Sequence, residues 1–101
     1  MLLKIKEARY LGSHVFELRF NDGRTGTVDA RSLAETGPGA AFEPLRSEEL
    51  VRRFEMKYGT LSWPGGVDVA PEFLYFLAFR DDPDLQEKFV EWGYLPQAAR
   101  T

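Results

Sequence analysis

The chain has 101 residues, of which 44% are hydrophobic and 29% charged, and its formal net charge is −3. A chain of this length forms a single domain, predicted over residues 1–95 with a frayed tail at 96–101, because smaller pieces would bury too little surface. The negative charge argues against direct nucleic-acid binding, and the absence of cysteine excludes disulfides, thiolate metal sites and cysteine nucleophiles.

The N-terminal residues predict the beginning of an antiparallel sheet. Residues 3–10 are predicted as a first strand, and Val15 to Phe20 alternates apolar and polar side chains, which predicts a second strand with one buried face. Asn21-Asp22-Gly23 predicts the turn that follows, because Gly23 tolerates a positive φ and Asp22 is a common turn residue.

The register of this first hairpin follows from the length of its loop. A three-residue loop over 21–23 places Val28 opposite Phe16 and Gly26 opposite Leu18. A two-residue loop would move Val28 to the polar face of the sheet. Because a slip of one residue exchanges the two faces, the three-residue loop is favoured.

The middle of the chain predicts a loop followed by a short helix. Residues 30–44 have loop composition, with room for a short helical turn over 32–35. Asp29, predicted to lie just beyond the ladder, is a capping candidate. Phe42 is expected to anchor the loop in the core, and Ser47-Glu48-Glu49-Leu50 predicts a capped, acidic helix start.

A second hairpin is predicted over residues 54–63. A two-residue loop at Tyr58-Gly59 makes this hairpin self-consistent, because it aligns apolar residues across the two strands. The predicted pairs are Met56 with Leu61, and Phe54 with Trp63.

Two glycines, Gly65-Gly66, precede a helix that is predicted to begin at Pro71. The loop lacks the lysine and hydroxyl residue of a phosphate-binding loop, and Asp68 and Glu72 would repel an anion. The glycines are therefore predicted to form a tight turn. Asp68 and Glu72 are predicted to cap the helix or to interact with the positive end of its dipole.

Residues 73–79 are apolar on every face, and such a helix is normally covered on more than one side. One candidate cover is the last helix, on which Leu85, Phe89 and Trp92 recur at helical spacing before Gly93 ends it. A second copy of the chain is the other candidate. The residues predicted to form a contact surface are Trp63, Phe73, Leu74, Tyr75, Phe79 and Trp92.

No catalytic, metal or cofactor site is predicted. His14 is the only histidine, and a lone histidine is more often structural or solvated than functional. Asp29, Asp68 and Glu72 would support acid–base chemistry only if the fold brought them together. Turn and cap hydrogen bonds are the favoured interpretation of these carboxylates.

These elements together predict an α+β fold. Its antiparallel sheet has about five strands, built from the two hairpins and the N-terminal strand, with one main helix on one face and a short C-terminal helix. The N-terminus lacks the apolar run of a signal peptide, and no apolar run is long enough to cross a membrane. A cytoplasmic location is therefore expected.

Three motifs in a fixed order carry a resemblance to a known family. They are Phe20-Asn21-Asp22-Gly23 followed by Val28-Asp29, then Phe42-Glu43-Pro44-Leu45, and then Trp63-Pro64-Gly65-Gly66-Val67-Asp68 with Pro71-Glu72-Phe73-Leu74-Tyr75. Over residues 1–80 the set resembles the bacterial domain-of-unknown-function 2442 family. The resemblance implies a small α+β fold, with no catalytic residues to carry over.

The same resemblance implies partnership with other proteins. Some relatives carry this module ahead of a helix-turn-helix domain, and others stand alone beside another small protein. This chain departs from the fused form, since only Tyr94 to Thr101 follow Gly93.

The favoured functional hypothesis is a non-enzymatic protein-interaction module that forms a homo-oligomer or binds a small partner protein. The alternative is an accessory subunit of a DNA-binding regulator or of a toxin–antitoxin-like complex. A small carboxylate-based enzyme is the third hypothesis.

Overall fold

The computed structural model describes residues 2–37 and 40–96. The predicted tail beyond Pro96 lies outside the described residues. The strands are β1 (Ile5–Gly12), β2 (Val15–Phe20), β3 (Thr25–Asp29), β4 (Glu55–Lys57), β5 (Thr60–Trp63) and β6 (Val67–Asp68). The helices are α1 (Ala30–Thr36), α2 (Glu48–Val51), α3 (Pro71–Phe79) and α4 (Gln86–Glu91), with 3₁₀ turns at Glu43–Arg46 and Pro83–Leu85. In the part of the chain described, none of the helices is both long and apolar enough to cross a membrane.

The α+β class is confirmed, but the prediction of one sheet of about five strands is wrong. The strands form two three-stranded antiparallel sheets, ordered β1-β2-β3 and β4-β5-β6. The two sheets meet at Ile5, which pairs with Phe20 in the first sheet and donates its N–H to the Gly59 carbonyl at 2.8 Å. An irregularity in the register between Ile5 and Glu7 follows at once. Such irregularities bend and twist a strand.

The register predicted for the first hairpin is confirmed. Phe16 lies opposite Val28, and Leu18 opposite Gly26. Asp29, however, lies within the ladder rather than beyond it, because it pairs with Val15. The length of the loop therefore determines which face of this hairpin carries the buried side chains.

The second hairpin is confirmed in its loop and in one of its two predicted pairs. Met56 lies opposite Leu61, but the ladder begins at Glu55 and does not include Phe54. The ring of Phe54 instead packs edge-on against Phe16 of the first sheet, with 4.9 Å between ring centroids. Phe54 thus connects the two sheets through the core, which local strand pairing does not reveal.

The segment predicted as a loop after Asp29 begins with a full helix. The Asp29 carboxylate accepts a hydrogen bond from the Arg31 backbone N–H at 2.9 Å, which caps α1 as expected of this residue type. Leu33 and Ala34 of α1 are buried, and Phe42 is 9% exposed. The predicted anchoring of the loop by Phe42 is therefore confirmed.

The apolar helix α3 is covered from two sides by its own chain. On one side it packs on β3, where the absence of a side chain at Gly26 makes room for Phe79. On the other side lies α4, whose Phe89 is fully buried against Phe76 at 5.1 Å between ring centroids. Trp92 lies 5.9 Å from the ring of Tyr75. Of the two candidate covers for α3, the last helix of the same chain is therefore the one that the structure contains.

Candidate protein-contact site

Three of the six residues predicted for a contact surface belong to the core, and their prediction as surface residues is wrong. Trp63 is 2% exposed, and Leu74 and Tyr75 are fully buried. The Trp63 indole N–H donates to the Val51 carbonyl at 3.0 Å, so even the polar atom of this side chain is used inside the protein. The cover of residues 73–79 was left open between the last helix and a second copy, whereas α4 and the first sheet bury Leu74, Tyr75 and Phe76 within the chain.

The other three residues are partly exposed, but they do not form one surface patch with a common role. Phe79 packs against Tyr75 at 4.8 Å and against Phe20 at 5.8 Å between ring centroids, so it mainly joins α3 to the first sheet. Trp92 packs on Phe89 and Tyr75. Phe73, at the N-terminal end of α3, lines a concave surface that is mainly apolar.

This concave surface, called the Phe73 groove below, has a volume of about 420 Å³. It is formed by residues from four parts of the chain: Thr36 at the end of α1, Phe42 in the following loop, Ala70 and Phe73 at the start of α3, and Tyr94 after α4. The rings of Phe73 and Tyr94 lie 5.4 Å apart between centroids and form the aromatic wall of the groove. The Thr36 hydroxyl donates to the Ser32 carbonyl at 2.6 Å, so it is already satisfied. The lining is mainly apolar, as is typical of a surface that receives apolar side chains.

One acidic residue lies beside the aromatic wall. Burial raises the pKa of Tyr94 above its usual value, and the nearby Glu72 carboxylate raises it further. Glu72 is in the first turn of α3, where its charge also interacts favourably with the helix dipole, as predicted. The groove thus has an apolar lining and a negative charge at its edge.

Sequence reasoning did not include Tyr94 among the contact residues, although one signal for it was present. Gly93, predicted as a helix stop, has a φ of +85°. After it the chain folds back, and the Tyr94 N–H donates to the Phe89 carbonyl at 2.9 Å. This turn directs Tyr94 toward Phe73 and Phe76. Thr36, Phe42 and Ala70 reach the groove from distant parts of the sequence, and no local pattern connects them.

The predicted turn residues have their expected conformations. Gly23 has a φ of +92°, and Gly65 and Gly66 have φ values of +89° and +80°. A Cβ added at Gly65 or Gly66 would meet no atom within 4 Å. These two glycines are therefore required for their backbone conformation in the tight turn rather than for close packing.

Asp68 is a correction to the predicted capping residues. The N-cap of α3 is Ala70, which makes no side-chain cap hydrogen bond. Asp68 lies in β6, and its carboxylate accepts a hydrogen bond from the Ser62 hydroxyl at 2.6 Å. Strand pairing places Asp68 directly opposite Ser62, which is why the carboxylate is directed across the sheet rather than toward the helix.

The carboxylate of Asp29 also has a local partner, Arg31. The hydrogen bond from Arg31 holds the pKa of Asp29 below its usual value, against the effect of burial. Over residues 2–37 and 40–96 there is no cluster of three or more histidine, aspartate or glutamate side chains placed to bind a metal ion. Asp29 and Asp68 are thus tied to different partners, one to Arg31 and one to Ser62.

A hydrogen-bond network that the sequence did not reveal joins α3 to the first hairpin. The buried Tyr75 hydroxyl donates to the Asp22 carboxylate at 2.7 Å and accepts from the Arg24 guanidinium at 3.1 Å. Burial opposes ionisation of Asp22, but the hydrogen bonds from Tyr75 and Arg24 outweigh it and lower the Asp22 pKa. Asp22 therefore serves as a turn residue and as the acceptor for a buried tyrosine.

Comparison with known proteins identifies the family and nothing more specific. Comparisons with curated proteins and with solved structures gave no match. A family model matches residues 5–80, a range that contains both hairpins, α1, α2 and α3. The match leaves out α4 and Tyr94 but includes the other residues of the Phe73 groove. The chain therefore belongs to the family described as a protein of unknown function, DUF2442.

Proposed function

We propose that this protein is a non-enzymatic protein-interaction module and that the Phe73 groove is its contact site. The supporting observation is the aromatic wall of Phe73 and Tyr94, two partly buried rings that line a concave and mainly apolar surface. Partly exposed aromatic side chains in a concave apolar surface are typical anchors of protein contacts.

The occupant we propose is an apolar segment of a small partner protein rather than a second copy. A two-fold contact between identical chains needs a surface that is complementary to itself. The Phe73 groove is concave, so the same groove on a second copy does not fill it. A projecting helix or loop with an apolar side chain supplies the missing shape.

The positions of the carboxylates support a role without catalysis. General acid–base chemistry needs a carboxyl group directed into a cleft that also holds the substrate. Asp29 is engaged by Arg31, and Asp68 by Ser62, each in its own local hydrogen bonds. Glu72 lies beside the Phe73 groove, and none of the described residues that line the groove is acidic.

The test is affinity capture from the native host with the wild-type chain and with Phe73→Ala. Removing a central aromatic anchor costs about 2 kcal/mol or more, roughly thirtyfold in Kd. A partner that binds the groove is expected to be lost with this variant. The dissociation constant of the purified pair, measured by calorimetry, gives the size of the effect.

Phe79→Ala is the matched control. Phe79 is also a partly exposed phenylalanine of α3, but it faces the first sheet and lies outside the groove. Equal loss of binding with both variants would contradict the proposed site, as would a partner that binds Phe73→Ala with wild-type affinity. A captured DNA-binding protein would favour the accessory-subunit role, and a dimer abolished by Phe73→Ala would favour self-association.

A further inference from the structure

A second concave surface lies on the second sheet and shares no lining residue with the Phe73 groove. It has a volume of about 620 Å³ and is lined by the tip and strands of the second hairpin together with the Gly65-Gly66 turn. Glu55 pairs with Ser62, and Ser62 with Asp68, so these three side chains lie on one face of the sheet. This surface is called the hairpin cleft below.

Asp68 gives the hairpin cleft a fixed negative charge. Its carboxylate is held by the Ser62 hydroxyl, and Ser62 is itself only 5% exposed. Glu55 and Lys57 form an ion pair at 3.2 Å and largely neutralise each other. Within the described residues Asp68 forms no ion pair, and the residue is exposed, so its charge is open to a ligand. An oriented carboxylate of this kind is bound by a cation at little cost in side-chain entropy.

Tyr58 supplies the second recognition element. It occupies the two-residue turn with Gly59, has a φ of +53° and is 98% exposed. Such turns favour asparagine, aspartate or glycine at this position, and a tyrosine there is unfavourable both in conformation and in exposure. The ring buries nothing within the protein, so folding does not account for its presence.

We infer that the hairpin cleft binds an arginine side chain carried by an extended segment of another protein. The guanidinium group would pair with the Asp68 carboxylate and stack on the ring of Tyr58. Arginine fits both features better than lysine, because its planar group forms paired hydrogen bonds with carboxylates and stacks on aromatic rings. Acidic or phosphorylated partners are disfavoured by Asp68. The open wall at Gly65 and Gly66 lets the backbone of the segment approach.

The probe is the capped tripeptide acetyl-Ala-Arg-Ala-amide, titrated into the isotope-labelled protein and followed by amide chemical shifts in NMR spectra. Binding in the millimolar range is expected, with the largest shifts at Tyr58, Gly59 and residues 65–68. The same peptide with citrulline in place of arginine is expected to cause no shifts at these positions. A lysine peptide is expected to bind several-fold more weakly.

Asp68→Asn is the decisive variant, because an asparagine oxygen still accepts the hydrogen bond from Ser62 while the charge is lost. It is expected to weaken binding about tenfold, equivalent to about 1.4 kcal/mol. Glu87→Gln is the control: Glu87 is an exposed residue of α4, and its replacement changes the net charge by the same amount as Asp68→Asn. This variant is expected to bind the peptide like the wild type. Tyr58→Asn suits the turn and removes the ring, and is expected to weaken binding several-fold. Because this substitution leaves Asp68 in place, it tests the contribution of the Tyr58 ring separately from that of the carboxylate.

Three results would overturn the inference. They are equal binding of the arginine and citrulline peptides, equal weakening by Asp68→Asn and Glu87→Gln, and unchanged binding to Tyr58→Asn. The inference does not depend on the proposed function of the Phe73 groove, because Phe73→Ala leaves every residue of the hairpin cleft in place. If the arginine peptide binds the hairpin cleft but affinity capture finds no partner for the Phe73 groove, only the groove proposal is overturned.

Discussion

The hydroxyl group of Tyr75 joins the longest helix of the protein to the turn of the first hairpin. It contacts Asp22 and Arg24, which lie 53 and 51 positions before Tyr75 in the sequence. Asp22 and Gly23 were predicted as turn residues from their local chemistry. The second role of Asp22 was not predicted, because a buried hydrogen bond between distant residues leaves no periodic signal.

We predict that Tyr75→Phe changes how stability depends on pH. Burial, and next the hydrogen bond to Asp22, raise the pKa of Tyr75 from 10.0 to about 12. Since the folded pKa is above the unfolded value, the contribution of Tyr75 is fully present below pH 10 and is lost as the pH rises toward about 12. The free energy of unfolding in urea should therefore fall more steeply over this range for the wild type than for the variant.

At neutral pH the same variant should be less stable by about 1–3 kcal/mol, because Asp22 and Arg24 lose a buried hydrogen-bond partner. Tyr58→Phe is the control, since that ring is almost fully exposed and should change neither quantity. Parallel pH curves for the wild type and Tyr75→Phe would show that the hydroxyl is not held as described.

Among the elements, the contact between α3 and the first sheet depends on Gly26 of β3. A Cβ built at this position would lie 2.8 Å from the ring of Phe79 and 3.1 Å from the Cβ of Ala78. Gly26 was predicted to lie opposite Leu18, and that register is confirmed. The position of α3 explains why this residue is a glycine, because the ring of Phe79 occupies the space that a side chain would need.

We predict that Gly26→Ala destabilises the protein by about 1–3 kcal/mol, as overpacking of a tight contact does. Thr27→Ala, at the next and exposed position of the strand, controls for strand preference and should have a smaller effect. In the Gly26→Ala background, Phe79→Leu should recover part of the lost stability. Urea unfolding of the wild type, the two single variants and the double variant would measure this recovery as a double-mutant cycle. An unchanged stability for Gly26→Ala would contradict the described packing.

At the scale of the whole molecule, the core extends beyond the family match. The match ends at residue 80, yet Leu85 and Phe89 are buried, at 4% and 0% exposure. Phe89 packs on Phe76 and Tyr75, which would otherwise be uncovered. The C-terminal helix is therefore part of the structural unit in this chain.

We predict that Phe89→Ala lowers the free energy of unfolding by about 3–5 kcal/mol, as for other buried aromatic residues replaced by alanine. Increased binding of a hydrophobic dye should accompany the change, because the rings of α3 become accessible. Glu87→Ala, on the exposed face of α4, is the control and should behave like the wild type. Equal stability of the two variants would mean that residues 5–80 form the core without α4.

The sequence was sufficient for features that depend on neighbouring residues. Loop length and alternation of period two determine which face of a hairpin is buried, so Phe16 and Val28 were paired correctly. Helical spacing likewise indicated that Phe89 and Trp92 lie on one face of the last helix, and chemistry of the turn residues located both hairpin loops.

Local sequence patterns did not predict three features of the structure. These are the separation into two sheets, the interior position of Trp63 and the assembly of the Phe73 groove. Each depends on contacts between distant segments: Ile5 with Gly59, Trp63 with Val51, and Phe73 with Tyr94. A local pattern reports that a side chain is apolar and which neighbours share its face. Which other segment covers that face follows from packing the whole chain, since only then is it known which apolar surface is left exposed.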